Sequence, residues 1–266
     1  LELKPNSPEI WLNRGLALEG LERYEEAIGS FDKTLEFQPQ DVDAWFNRGN
    51  ALRKLKRYEG ALAAFDSVVQ TQATHAVAWF NRGLVLARLK RLPDAVTSYD
   101  KAVELQPTLH QAWCDRGVAL GLLQRNEEAF QSFDQAVQVK PDDSVAWLNR
   151  GLALQELDRL EDAFESFDKA ATFNPDSAKI WDKRGYTLVR LGRDDDAIAS
   201  FDKAIELNPE FASAYYNKAA CYALQRELEA ALKNLQKAIQ LDPKYRQEAS
   251  RDIDFDDLSE DRRFKR

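Results

Sequence analysis

The chain has 266 residues, 44% hydrophobic and 31% charged, which is enough apolar material for a large core and too much for a disordered polymer. Its formal charge of −8, with no face rich in Lys and Arg, argues against a nucleic-acid or anionic-membrane partner, because phosphate recognition rests on clustered cations. No apolar run approaches the ~18 residues of a membrane helix, and two cysteines, Cys114 and Cys221, suit a reducing compartment better than a disulfide framework, so a cytoplasmic location is expected.

Few glycines (11) and prolines (9), against abundant Ala, Leu and charged residues, predict an all-α chain. It opens on Leu1 to Pro5, LELKP, which matches the end of a later helix around Leu207, Asn208 and Pro209. Residues 1–7 therefore read as the end of a truncated preceding repeat, with part of the protein expected upstream. From there an aromatic in near-identical surroundings recurs every 34 residues, at Trp11, Trp45, Trp79, Trp113, Trp147, Trp181 and Tyr215, and the hexapeptide AWFNRG occurs verbatim at 44–49 and 78–83. The period divides the chain into 8–41, 42–75, 76–109, 110–143, 144–177, 178–211 and 212–245.

Within each 34-residue stretch the apolar positions predict two amphipathic helices, as with Trp45, Gly49, Leu52 and Leu55, then Ala61, Phe65 and Val69. A charged turn separates them, as at Glu22-Arg23 and Lys56-Arg57. The second helix is expected to stop near Pro39, Pro107, Pro141, Pro175, Pro209 and Pro243, with Ala73 leaving the second repeat without that stop. The Gly four residues after each Trp has no Cβ and should admit the partner helix closely, against the small residues Ala27, Ala61, Ala95, Ala129, Ala163 and Ala197. Arg14, Arg48, Arg82, Arg116, Arg150 and Arg184 are each followed 18 residues later by an Asp (Asp32, Asp66, Asp100, Asp134, Asp168, Asp202), which predicts ion pairs within a repeat or between neighbours. The seventh repeat drifts, with Lys218 and Gln236 in these places. Residues 246–266, carrying Ile253, Phe255, Leu258 and Phe264 among charges, read as a capping segment over the last apolar face.

The period, the Trp-to-Gly step and the Ala, Phe and Pro positions resemble the tetratricopeptide repeat family over all seven stretches, and the closing segment looks like that of many bacterial arrays. The resemblance implies a right-handed α-solenoid of antiparallel helix pairs whose first helices line a concave groove. It also implies which residues face that groove. One place after the aromatic stand Leu12, Phe46, Phe80, Cys114, Leu148, Asp182 and Tyr216. Five places after it come Leu16, Asn50, Leu84, Val118, Leu152, Tyr186 and Ala220. Two places after it, Asn13, Asn47, Asn81, Asn149 and Asn217 form an amide ladder interrupted by Asp115 and Lys183. An Asn side chain offers both donors and acceptor to a peptide unit whatever the ligand's sequence. The carboxylate clamp of chaperone-binding relatives is approached only by Lys179 and Lys183.

Residues with catalytic or metal-binding spacing are scarce. His75 and His110 fall at turns and read as solvated, with no HxxxH or CxxC pair, and there is no phosphate-binding glycine loop. Asp194 to Asp196 open a helix and complement its dipole. Cys221 takes a place usually held by Ala and should be buried, while Cys114 has no evident basic partner beyond Arg116. No metal, cofactor or catalytic residue is expected. The sequence therefore points to a non-catalytic module that binds another protein or peptide. The alternative is a regulatory or sensing array of a larger enzyme or signalling protein, and self-association through the N-terminal face is a further expectation.

Overall fold

The computed structural model describes residues 7–258, so Leu1 to Pro5, Phe264 and the side chain of Leu258 lie outside the described residues. Fourteen helices alternate in length between 13 and 14 residues: α1 (Pro8–Gly20), α2 (Tyr24–Phe37), α3 (Val42–Lys54), α4 (Tyr58–Thr71), α5 (Ala76–Arg88), α6 (Leu92–Leu105), α7 (His110–Leu122), α8 (Asn126–Val139), α9 (Ser144–Glu156), α10 (Leu160–Phe173), α11 (Ala178–Arg190), α12 (Asp194–Leu207), α13 (Ala212–Leu224) and α14 (Leu228–Leu241). A short α15 (Lys244–Ala249) and a 3-10 turn (Ile253–Leu258) follow. The chain divides into two compact bodies, residues 1–140 with α1 to α8 and residues 141–266 with the rest. Within each, every long helix packs on the helix before it and the one after it, the near-neighbour stacking of an α-solenoid.

Each pair turns tightly because the first helix ends in a residue with positive φ. These are Glu22, Lys56, Lys90 and Gln124 in the first body, and Asp158, Gly192 and Arg226 in the second, all between 58° and 70°. The next N–H reaches back to the carbonyl five residues earlier, as from Arg23 to Leu18 and Arg57 to Leu52, closing a Schellman turn. Only the sixth repeat uses the residue best suited to this backbone, Gly192.

The second helix does not need proline to stop. α4 ends at Thr71, in the same register as α2 at Phe37, although Ala73 stands where α2 is followed by Pro39. What recurs is a hydrogen bond from the next repeat's indole: Trp45 Nε1 donates to the Pro39 carbonyl, Trp79 to that of Ala73 and Trp113 to that of Pro107, at 2.8 to 2.9 Å. Trp147 and Trp181 do the same to Pro141 and Pro175 in the second body.

The space over the glycine four residues after each Trp is filled by an aromatic ring rather than by the small Ala expected. A Cβ on Gly49 would lie 2.8 Å from the ring of Phe65, one on Gly117 2.7 Å from Phe133, and one on Gly151 2.6 Å from Phe167. Those rings are at most 4% exposed. The alanines, equally buried, line the remainder of the same contact.

The Arg and Asp series pair between repeats, not within them. Arg48 Nε donates to Asp32 at 2.7 Å, Arg82 to Asp66 and Arg116 to Asp100 at 2.6 Å, and Arg184 to Asp168 at 3.0 Å, each Asp lying 16 residues before its Arg. Lys218 takes Asp202 in the same way. Inside its own repeat the guanidinium reaches a buried serine instead, as in Arg82 to Ser98 (2.7 Å) and Arg116 to Ser132 (2.6 Å), with Arg14 and Ser30, Arg150 and Ser166, and Arg184 and Ser200 following suit. Ser and Asp are two residues apart on the second helix, about 200° around it, so one faces its own first helix and the other the next repeat's. The guanidinium also lies over the Trp three residues earlier, 5.5 to 6.0 Å from the ring centre.

At the C-terminal end Phe255, 1% exposed, packs with Tyr216, Tyr245, Ala249 and Leu232, while Ile253 is 79% exposed. Of the residues expected to cover the last apolar face, Phe255 is buried beside α15 and Ile253 is not.

Candidate functional site: the face of the odd-numbered helices

In the first body α1 touches α3, α3 touches α5 and α5 touches α7, and in the second α11 touches α13, whereas the even-numbered helices approach one another less closely. The odd-numbered helices therefore form the inner side of each stack. Residues at spacing i, i+3, i+7 share one side of each of them. Asn47 and Asn50, like Asn81 and Leu84, share a side by this spacing, and the three expected sets of groove residues do three different jobs.

The first set, one place after the aromatic, is largely packing. Leu148, Asp182 and Tyr216 are buried, at 8%, 1% and 9% exposure, and Leu12, Phe46, Phe80 and Cys114 are half-buried. Phe46 stacks on His75 (centroids 5.0 Å apart) and meets Phe65 edge-on, and Phe80 leans on Tyr99. The Tyr216 hydroxyl donates to Asp252 at 2.7 Å, and burial with that carboxylate pushes its pKa up. Phe46 and Phe80 thus rest mainly on the second helix of their own repeat and also reach Ala78 and Ala112 of the next, which leaves this row half-covered rather than open.

The second set, the asparagines, is unevenly available. Asn13 is exposed, and Asn47, Asn149 and Asn217 are half-buried, whereas Asn81 is 6% exposed. Asn47 Nδ2 donates to the Asp43 carbonyl of its own helix at 2.8 Å, and Asn217 Nδ2 to Asp182 at 3.3 Å. The third set holds the open apolar surface: Leu16, Val118 and Tyr186 are 41 to 44% exposed, Asn50, Leu84 and Leu152 are half-buried, and Ala220 is buried.

The electrostatics of this face were only partly legible. Asp182, in an otherwise apolar position, accepts from Ser213 and Asn217 and lies 3.5 Å from Lys183 Nζ, yet burial still pushes its pKa up. Burial also raises Asp115, which accepts from Gln111 at 3.2 Å with Arg88 nearby, and Glu19, which feels Lys54 and Arg53. Three cations that the sequence reading passed over, Arg53, Lys54 and Arg88, end α3 and α5. Their signal was the spacing, since Lys54 and Arg88 follow Asn47 and Asn81 by seven residues.

Neither histidine is a solvated turn residue. His75 caps α5, its Nδ1 accepting from the Ala78 N–H at 3.1 Å, and is half-buried under Phe46. His110 Nε2 lies 3.5 Å from Cys114 Sγ one turn along α7, so that thiol has the basic neighbour the sequence reading missed. Cys221 is fully buried, and desolvation pushes its thiol up to about 12. Asp194, Asp195 and Asp196 form the first turn of α12, with Asp196 bound to Arg193. Among the described residues no helix is long and apolar enough to cross a membrane.

Tetratricopeptide repeat profiles match residues 1–42, 12–76, 76–109, 111–178 and 183–246. No curated protein sequence matches the chain. Among solved structures, YrrB, described as a tetratricopeptide repeat protein with an unusual peptide-binding site, shares 23% identity and a TM-score of 0.66, over 71% of this chain and 97% of its own. The C-terminal part of a repeat protein from Cytophaga hutchinsonii gives a TM-score of 0.73 at 17% identity, over 87% of this chain and 95% of its own. MamA from Desulfovibrio magneticus gives 0.59 at 24% identity, over 64% and 96%. At these identities the likeness is one of fold, whereas the repeat profiles span nearly the whole chain: it belongs to the tetratricopeptide repeat family.

Proposed function

We propose that the protein is a non-catalytic interaction module that holds a peptide segment or helix of a partner against the inner face of its odd-numbered helices. The observation that carries this reading is the repeated pairing, on one side of these helices, of an amide with an apolar or amide neighbour one turn on. The sets are Asn13 with Leu16, Asn47 with Asn50, Asn81 with Leu84, and Asn149 with Leu152. Amides can satisfy a peptide backbone, and the exposed Leu16, Val118 and Tyr186 offer it apolar contact. Tetratricopeptide repeats are a typical protein-interaction module, and the related fold of YrrB carries a peptide-binding site.

The test is a peptide-display selection on the full chain beside a variant with Asn47, Asn81 and Asn149 changed to Ala. Thermal melting should check that the variant is folded, because Asn81 is buried. Peptides that bind the parent and lose at least ~10-fold in affinity on the variant are expected, the sum of a few hydrogen bonds at ~0.5–1.5 kcal/mol each. Equal binding to both proteins would refute the groove reading.

A further inference from the structure

We infer that the inner face of the first body selects an acidic peptide segment, seating its side-chain carboxylates on Arg53, Lys54 and Arg88. The inference rests on the groove reading above and adds the chemistry of the occupant. In this acidic chain most other cations on the helices and helix starts of the first body are already engaged, while Lys56, Lys90 and Lys140 lie in the turns and, among the described residues, have no carboxylate within 4 Å. Arg23, Lys33, Arg91, Lys101 and Arg125 hold a carboxylate one turn along their own helices, and Arg48, Arg82 and Arg116 bind the preceding repeat. Among the described residues Arg53, Lys54 and Arg88 have no carboxylate within 4 Å, and the Nε of Arg53 is buried with no hydrogen-bond acceptor. A buried charged donor left unsatisfied is uncommon enough to require an explanation.

Helix-dipole compensation does not supply one. Cations are favoured in a last turn, but α1 and α7, which flank the pair, carry none there, and Arg190, which ends α11 in the second body, is bound to Asp158 at 2.6 Å. On the helices of the first body, the cations that have neither a carboxylate nor a side-chain acceptor among the described residues are those of α3 and α5, which touch each other. Lys54 shares its side of α3 with Asn47 and Asn50, and Arg88 shares its side of α5 with Asn81 and Leu84, so carboxylate acceptors and peptide-unit partners lie on one surface. Glu19 on α1 and Asp115 on α7 border it. Burial disfavours the charged form of both, and Asp115 already accepts from Gln111. Charge complementarity therefore favours Asp- or Glu-rich peptide, and the amides favour a peptide over a nucleic-acid backbone.

The test is fluorescence anisotropy on the full chain with an alternating Glu-Ala peptide, its Gln-Ala and Lys-Ala counterparts, and a single-stranded oligonucleotide. The Glu-Ala peptide should bind at least ~10-fold more tightly than Gln-Ala, a difference that two to three partly exposed ion pairs can supply. Arg53→Gln with Arg88→Gln should abolish that preference, while Lys33→Gln with Lys101→Gln, which removes the same charge from the outer side, should leave it within twofold. Should the first pair of changes unfold the protein, Lys54→Gln with Arg88→Gln, both at exposed side chains, replaces it. Equal binding of Glu-Ala and Gln-Ala, equal losses in the inner and outer variants, or tighter binding of the oligonucleotide would overturn the inference. Display peptides that depend on the asparagines but lack acidic residues would overturn it while leaving the groove reading intact.

Discussion

One tightly constrained contact joins single residues: the glycine four places after each Trp and the aromatic ring 16 positions later. Any Cβ on Gly117 enters the Phe133 ring at 2.7 Å, and the ring is 4% exposed, so it has nowhere to swing. Gly117→Ala should cost about 1–3 kcal/mol by overpacking, despite its better helix propensity. The seventh repeat supplies the remedy, because it carries Ala219 against Leu235, both buried. Gly117→Ala with Phe133→Leu should therefore lose less than the two single changes summed, as read by urea denaturation. Strict additivity would mean that the ring is not the obstacle. The sequence showed the glycine and the aromatic as regular features but could not show that they face each other. That depends on where the second helix lands after its turn.

Between elements, the binding of one repeat to the next converges on one arginine. Arg116 takes Asp100 from the preceding repeat and Ser132 from its own, and lies over Trp113. The aspartate is about half exposed, so its ion pair contributes at most about 1 kcal/mol. The serine is fully buried and also donates to the Glu128 carbonyl at 2.7 Å. Ser132→Ala should accordingly lower stability by about 1–2 kcal/mol, chiefly by leaving a guanidinium N–H without its acceptor. No change in the denaturation midpoint would show that water replaces the hydroxyl. The second repeat has Ala64 in the serine's place, and there Arg48 keeps Asp32 as its hydrogen-bond partner without a serine. The charges were legible as a series in the sequence. Their pairing was not, because an 18-residue step within a repeat and a 16-residue step across repeats are both compatible with one period.

At the scale of the molecule, stability is expected to follow near-neighbour contacts, so damage at one end should stay near that end. Phe255 is the buried centre of the cap, 5.4 Å from Tyr216 in an edge-on arrangement, and Tyr216 in turn stacks on Tyr245 at 4.7 Å. Phe255→Ala should cost about 3–5 kcal/mol. Hydrogen exchange should show α13 and α14 losing protection first, with α1 to α8 little changed. Uniform loss across both bodies would show instead that the array unfolds as one cooperative whole.

The sequence by itself determined the helices, their pairing and the place of every turn. A 34-residue period repeated without insertion, and an amphipathic pattern at each helix, leave almost no freedom in local structure, since each repeat can bury its apolar side only against its neighbours. Helical spacing equally showed that residues two and five places after each aromatic share a side, and the family resemblance implied that this side lines the groove. Tertiary structure decided which of those residues remain open. Phe46, Leu148, Asp182 and Tyr216 read as groove residues, yet they are covered or half-covered by what packs beside them. Tertiary structure also decided that Arg53, Lys54 and Arg88 stand without carboxylate partners among the described residues while Lys33 and Lys101 on α2 and α6 have theirs. Period and spacing fix direction around a helix axis. Exposure and ion pairing depend on the distance to the next helix, which the packing of side chains sets.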